Sequence, residues 1–217
     1  MSTIESLFPV WDQLNENEKR TLHEVTIRRE VPKKTTLHRG DADCDGLYIV
    51  ESGQLRAYIV SDEGKELTLY RLFEMDMCLF SASCMFSNIQ FEVIVDTEKD
   101  TTIWVIPVLA YQKLMNTNNA VANYTNQLMA SRFTDVMWLM DQILFKSMDS
   151  RLAAFLLYES NIEENNDITI THEKIANHIG TAREVVTRML KYFQDENMVK
   201  ISRGSIVITD RKKLSKL

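Results

Sequence analysis

The chain has 217 residues, 45% of them hydrophobic, which is ordinary for a globular protein and enough for two modest domains with separate cores. No apolar run approaches the roughly 18 residues of a membrane span, and three cysteines, Cys44, Cys78 and Cys84, make neither a disulfide framework nor a four-thiolate iron–sulfur site. The net charge of −6 is uneven: residues 1–146 hold 14 Lys+Arg against 21 Asp+Glu, and residues 147–217 hold 11 against 10, so attraction for a polyanion must come from local clusters such as Arg211, Lys212, Lys213 and Lys216.

The opening MSTIESLFPVWDQ carries Glu5 early and has neither a basic start nor a long apolar core. No secretory signal is expected, and the cytoplasm is the expected compartment. Residues 4–24 read as an amphipathic helix with Pro9 near an initiating turn. From about Val25 to Pro107 the period changes to two. GLYIVESGQLRAYIVSDEGKELTLYRLF gives three β-rich runs parted by Glu51-Ser52-Gly53 and Asp62-Glu63-Gly64-Lys65, where glycine makes positive φ cheap. Two further runs lie around Phe91–Val95 and Thr102–Ile106. Many short strands at regular spacing predict a rolled or closed antiparallel sheet. Pro107 ends this region and suits the start of a helix.

From about Asn118 to Lys146 no Pro or Gly interrupts a long helical pattern. Its stripe is Ala122, Asn126, Met129, Phe133, Val136, Met140 and Ile143, with steps alternating four and three as in a heptad seam. Leu128, Trp138, Leu139 and Leu144 lie off that seam. Two buried sides are therefore predicted, one on the chain's own sheet and one on a second copy; a single-chain core helix with a wide apolar face is the other reading. Ser147-Met148-Asp149-Ser150 breaks the pattern and marks a hinge, with Asp149 or Ser150 as the cap of a helix over Arg151–Ser160. Residues 161–167 form a polar loop.

Ile168 to Leu214 reads as two short helices joined by a tight turn, then a small hairpin. The second helix places Val186, Met189, Leu190 and Phe193 on one side, leaving Arg183, Glu184, Thr187, Arg188 and Lys191 on the other. Arg can fork onto guanine O6 and N7, and Glu can accept from cytosine N4. This is the pattern of a winged helix-turn-helix, and it points to double-stranded DNA as the partner. Three plainer readings stand beside it. Thr181-Ala182-Arg183-Glu184 is also a capping box, in which Glu184 serves the helix start. Arg188 could be a solvated cation, and Lys191 a solvated or phosphate-side charge.

The order of roll, long helix, hinge and winged helix-turn-helix resembles the CRP/FNR family (cyclic-AMP receptor protein and fumarate-nitrate regulator) over nearly the whole chain. Two stretches carry the resemblance: LYIVESGQLRAYIVSDEGKELTLYRL, with its turns at Gly53 and Gly64, and ITITHEKIANHIGTAREVVTRMLKYFQDENMV, with Arg183, Glu184 and Arg188 spaced as in the family's reading helix. It implies an α+β fold. Residues 1–115 would form an antiparallel β-roll of the cupin-like, cyclic-nucleotide-binding type. Residues 116–146 would be a dimerisation helix with Met129, Phe133, Val136, Met140 and Ile143 at its interface, and residues 147–217 a winged helix-turn-helix.

The implied function is transcription regulation by a homodimer on a palindromic site, with half-sites about one helical turn apart. Glu184 and Arg188 would read bases, Arg183 would read or touch phosphate, and Thr187 would set local preference around a TGA step. Thr171 would cap the first helix, whose N–H end could meet a phosphate, and Arg203-Gly204 would form the wing tip. RNA polymerase is a further candidate partner; no membrane partner and no enzymatic activity are expected. A sensor protein whose helix-turn-helix makes protein contacts only is the rival reading.

Family members that bind cyclic AMP carry an Arg-Ser pair for the cyclic phosphate, and a turn Gly before it. Here Phe91 and Glu92 stand about where Arg-Ser would sit, Met75 stands where the Gly is usual, and no Arg occurs between Arg71 and Arg132. Cyclic AMP is therefore not expected; the signal would be another small molecule or a redox change, its identity open. No cofactor and no metal are expected. The family's iron–sulfur members carry a cysteine cluster near the N-terminus, but this chain has no Cys before Cys44, and the long helix has no His for a haem. Cys78 and Cys84 flank LFSAS beside the implied effector pocket and are candidates for an effector or redox role; ordinary buried thiols are the alternative. His23, His38, His172 and His178 show no metal spacing, and His172 and His178 are expected at the surface or near phosphate. No catalytic constellation stands out.

Overall fold

The computed structural model describes residues 3–40, 45–79 and 92–217. They form two compact units, Met1–Ile59 with Leu69–Val136, and Val60–Thr68 with Met137–Leu217.

In the first unit the helix expected over 4–24 is broken. Phe8, which precedes Pro9, is held extended (φ −88°, ψ 109°), so α1 (Ile4–Leu7) stops there. A 3-10 turn at Trp11–Gln13 follows, and α2 (Glu16–Val25) restarts on a reciprocal cap. Asn15 Oδ1 accepts the Glu18 N–H at 3.0 Å, and the Glu18 carboxylate accepts the Asn15 N–H at 2.9 Å.

Eight strands follow: β1 (Ile27–Val31), β2 (Thr36–Arg39), β3 (Gly46–Ser52), β4 (Leu55–Val60), β5 (Glu66–Leu72), β6 (Met77–Cys78), β7 (Ile94–Thr97) and β8 (Thr101–Pro107). They make two four-stranded sheets, ordered β1-β8-β3-β6 and β2-β7-β4-β5. The run expected around Phe91–Val95 is β7, displaced toward the C-terminus; Phe91 itself lies outside the described residues. β3 shows why the roll holds together. Tyr48 and Val50 enter one apolar core while Leu47 and Ile49 enter a second, shared with α1 and α2, so the strand is buried on both faces. Gly53 turns β3 into β4 at φ +94°, and a Cβ there would lie 2.5 Å from the Asp100 carbonyl oxygen, which leaves room for glycine only.

After Pro107 come α3 (Val108–Thr117) and the 27-residue α4 (Asn119–Phe145). Asn118 Oδ1 starts α4 by accepting the Ala120 N–H at 2.9 Å. Val121 and Thr125 are buried, and the Thr125 hydroxyl bonds to that of Tyr111 at 2.7 Å. Beyond Leu128 most large apolar side chains of α4 are exposed: Met129, Phe133 (67%), Met137, Trp138, Met140, Ile143, Leu144 and Phe145 (77%). Val136 is half-buried.

The second unit contains α5 (Met148–Ile162), β9 (Asp167–Ile168), α6 (His172–Ile179), α7 (Arg183–Asp195), β10 (Val199–Ser202), β11 (Ser205–Ile208) and α8 (Arg211–Leu214). Helix α5 starts earlier than the sequence pattern implied. Ser147, not Asp149 or Ser150, is its N-cap, and the Ser147 hydroxyl holds the Asp149 carboxyl below its usual range. The core gathers Leu152, Leu156, Ile175, Leu190, Phe193 and Ile206. β10 and β11 form the expected hairpin, and Ile206 pairs with both Ile201 and Ile168 of the sheet β10-β11-β9. Arg211, grouped above with the basic C-terminal residues, is a fastening residue: its guanidinium donates to Ser160 Oγ at 2.6 Å and to Asn166 Oδ1 at 2.9 Å.

Candidate nucleic-acid interface

Two capped helices and a glycine turn build the site. Thr171 is the N-cap of α6, its Oγ1 accepting the Lys174 N–H at 3.1 Å. Gly180 ends the helix in the left-handed region (φ +68°, ψ 44°), which turns the chain sharply into α7. Val186, Leu190 and Phe193 anchor α7 in the core, with Met189 packed beside them. The opposite side carries Arg183, Glu184, Thr187, Arg188 and Lys191, all exposed, so the predicted reading residues do share one face. Among the described residues, the four charged ones make no side-chain hydrogen bond or ion pair. Their donors and acceptors are therefore available to a ligand.

The alternative role for Glu184 is not realised. Helix α7 begins at Arg183 with Ala182 as N-cap and no side-chain cap bond. A Thr181–Glu184 box would need Thr181 at the cap and Glu184 three residues inside; here Glu184 is only the second helical residue. Its carboxylate is not spent on the helix start.

The two histidines of α6 differ. His178 is buried (4% exposed) and stacked on Phe155 with ring centroids 5.3 Å apart, so it is a core residue and not the surface group expected. His172 is half-buried, and its Nδ1 lies 2.9 Å from the Thr187 hydroxyl. Burial, reinforced by the Arg183 guanidinium, holds its pKa below the usual histidine value. The His172–Thr187 contact was not visible in the sequence. Arg203 is exposed beside Gly204 at the β10–β11 turn.

Residues 28–118 match the profile of a cyclic nucleotide-binding domain, and residues 150–217 that of a Crp-like helix-turn-helix domain. A crystal structure from Eubacterium rectale ATCC 33656, assigned to the transcriptional regulators of the CRP/FNR family, is 56% identical, covers 98% of either chain and superposes with a TM-score of 0.95. The chain belongs to the CRP/FNR family. This CRP/FNR protein is a DNA-binding transcription regulator and not an enzyme. The fumarate and nitrate reduction regulatory protein of Yersinia pestis is 25% identical to it over 215 residues, 94% of this chain and 84% of the relative. The c-di-GMP-responsive regulator CLP of Xanthomonas campestris shares its fold at a TM-score of 0.76 and 19% identity, covering 89% of this chain and 99% of that one.

The roll of this CRP/FNR protein holds a polar cluster against α4. The Arg132 guanidinium lies 4.6 Å from the Tyr70 ring centroid, donates to Asp135 at 3.0 Å and sits 3.5 Å from Asp76. Burial keeps the Tyr70 phenol well above its usual pKa. Cys78 is fully buried beside this cluster, among apolar residues of the roll core. Cys84 lies outside the described residues, whereas Glu92 is described and exposed. Among the described residues no three His, Cys, Asp or Glu side chains gather as a metal site, and no helix is long and apolar enough to cross a membrane. Met75 takes φ +69°, a left-handed conformation that costs a side-chain-bearing residue about 1–2 kcal/mol. Met75 is exposed, so little packing opposes its loss. Met75→Gly is expected to stabilise the fold by about 1 kcal/mol, read as a higher urea midpoint with unchanged slope.

Proposed function

We propose that this CRP/FNR regulator acts as a homodimer on a two-fold symmetric operator, with α7 of each copy in successive major grooves. The unspent face of α7 carries the reading, because an exposed Arg183, Glu184 and Arg188 without internal partners suit base edges and phosphates. Glu184 and Arg188 address bases, and Arg183 a base or a phosphate. Lys191, the N–H end of α6 at Thr171, and Arg203 of the wing meet the backbone.

Residues 147–217 are the reading domain, residues 1–115 the sensing roll and residues 116–146 the dimerisation helix. The exposed Met129, Phe133, Met140 and Ile143, with half-buried Val136, suit a seam between two copies. The signal is a small molecule or redox change other than cyclic AMP, with Cys78 and Cys84 as redox candidates. Arg132, which ties α4 to Tyr70 and Asp76, is the link through which that signal reaches the helix pair. RNA polymerase is a further partner, and the cytoplasm is the working compartment.

Selection from a random DNA pool tests the reading. An inverted repeat with half-sites one helical turn apart is expected; a motif without two-fold symmetry, or no enrichment, overturns it. Repeating the selection with and without thiol reductant tests the cysteines, since equal enrichment removes them as sensors.

A further inference from the structure

Thr187 stands in the middle of the reading face, one turn after Arg183 and next to Arg188, and it is exposed. Its hydroxyl is nevertheless committed to the protein. Oγ1 donates to the Arg183 carbonyl at 2.9 Å and lies 2.9 Å from Nδ1 of His172 on the preceding helix. A hydroxyl has one proton and two lone pairs. With the proton on the Arg183 carbonyl, His172 completes the pair by donating from Nδ1–H. Burial disfavours the charged imidazole, so the neutral Nδ1–H tautomer meets this requirement.

A helical threonine divides between two χ1 wells because its oxygen can bond back to the preceding turn. The second bond, to His172, selects the well in which the oxygen is turned to the protein. The Cγ2 methyl is then the unspent group of Thr187. In the major groove a threonine methyl finds its match in the C5-methyl of thymine.

We infer that His172 is a positioning residue for base recognition: by holding the Thr187 hydroxyl against the protein, it presents the Thr187 methyl to the major groove, where that methyl selects thymine. The inference rests on α7 being the reading helix, as proposed above, and adds what one of its residues reads and what orients it. His172 thereby acts on specificity through a neighbour, beyond any contact it makes with phosphate.

The test uses the full-length protein and its selected operator, with each thymine replaced in turn by uracil, which removes only the C5-methyl. For the wild type, one thymine per half-site should cost roughly three- to fivefold in affinity when replaced, as expected for one buried methyl. Thr187→Ser keeps the hydroxyl and should lose that penalty; Thr187→Val keeps the methyl and should retain it. His172→Ala should shrink the penalty in the wild-type background and leave it unchanged beside Thr187→Val. His172→Asn, which can still donate to Oγ1, should restore it.

A penalty that survives Thr187→Ser, or vanishes in Thr187→Val, would mean that the hydroxyl does the reading and overturns the inference. A penalty indifferent to His172→Ala would reduce His172 to a phosphate or structural group. The two levels separate cleanly. A wild type with no preference for its operator over random DNA defeats the proposed function, whereas one that prefers its operator but tolerates uracil at every position defeats only this inference.

Discussion

Phe133→Asp is expected to convert the protein to a monomer in sedimentation and to lower its affinity for a full operator by about 10²–10⁴-fold, the gain that linking two reading heads supplies. Phe133 lies on the α4 stripe with 67% of its surface exposed in the single chain. Removing the ring opens no cavity in that chain, so the stability of each copy should change little. In a two-fold helix pair the same patch packs on its own counterpart. Two carboxylates would then face each other in a seam built for apolar knobs, and neither would have a cation to pair with. The competing arrangement, α4 as a core helix of one chain, gives the opposite pattern: Phe133→Asp would lower the unfolding midpoint and leave the mass unchanged. An unaltered dimer would remove the seam. Affinity for an isolated half-site should fall far less than affinity for the full site, which separates lost dimerisation from damage to α7.

What the sequence disclosed follows from where each signal is stored. Helix α4 was legible almost to the residue, 118–146 expected against Asn119–Phe145 found, because an unbroken apolar period and the Asn118 cap are local features. Helix α7 was legible for the same reason, since Val186, Leu190 and Phe193 repeat at helical spacing and only one side of the helix can face the core. The break at Pro9 was hidden, because apolar spacing continues across a change of helix axis. The double burial of β3 was equally hidden, since Leu47, Tyr48, Ile49 and Val50 are all apolar and period two cannot assign them to two separate cores.

Contacts between distant residues left no trace. His172 and Thr187 stand 15 residues apart and meet only once α6 and α7 are packed. His178 likewise had the look of a polar surface residue until Phe155, from another helix, covered it. Arg132 was visible as an arginine isolated in a long stretch without any, but its position over Tyr70 depends on how α4 lies against the roll.

Arg188→Ala and Glu184→Ala should each reduce the ratio of operator binding to random-DNA binding by about 10–100-fold, equivalent to roughly 1–3 kcal/mol for a lost base contact. The physical case is that neither side chain has other work. Arg188 is exposed and, among the described residues, unpaired, so its fork of N–H donors remains to be filled. Glu184 stands outside any capping box, so its truncation should not unravel the start of α7. A loss in these variants should therefore appear as altered base preference at defined operator positions, with the folded protein's stability nearly unchanged. Lys191→Ala provides the contrast. As a phosphate contact it should weaken specific and random binding alike and lower the slope of log affinity against log salt by about one. If Arg188→Ala behaves as Lys191→Ala does, Arg188 is a backbone contact, and the reading of bases must be reassigned to other residues of α7. If both Glu184→Ala and Arg188→Ala leave the ratio at its wild-type value, this side of α7 does not enter the major groove at all.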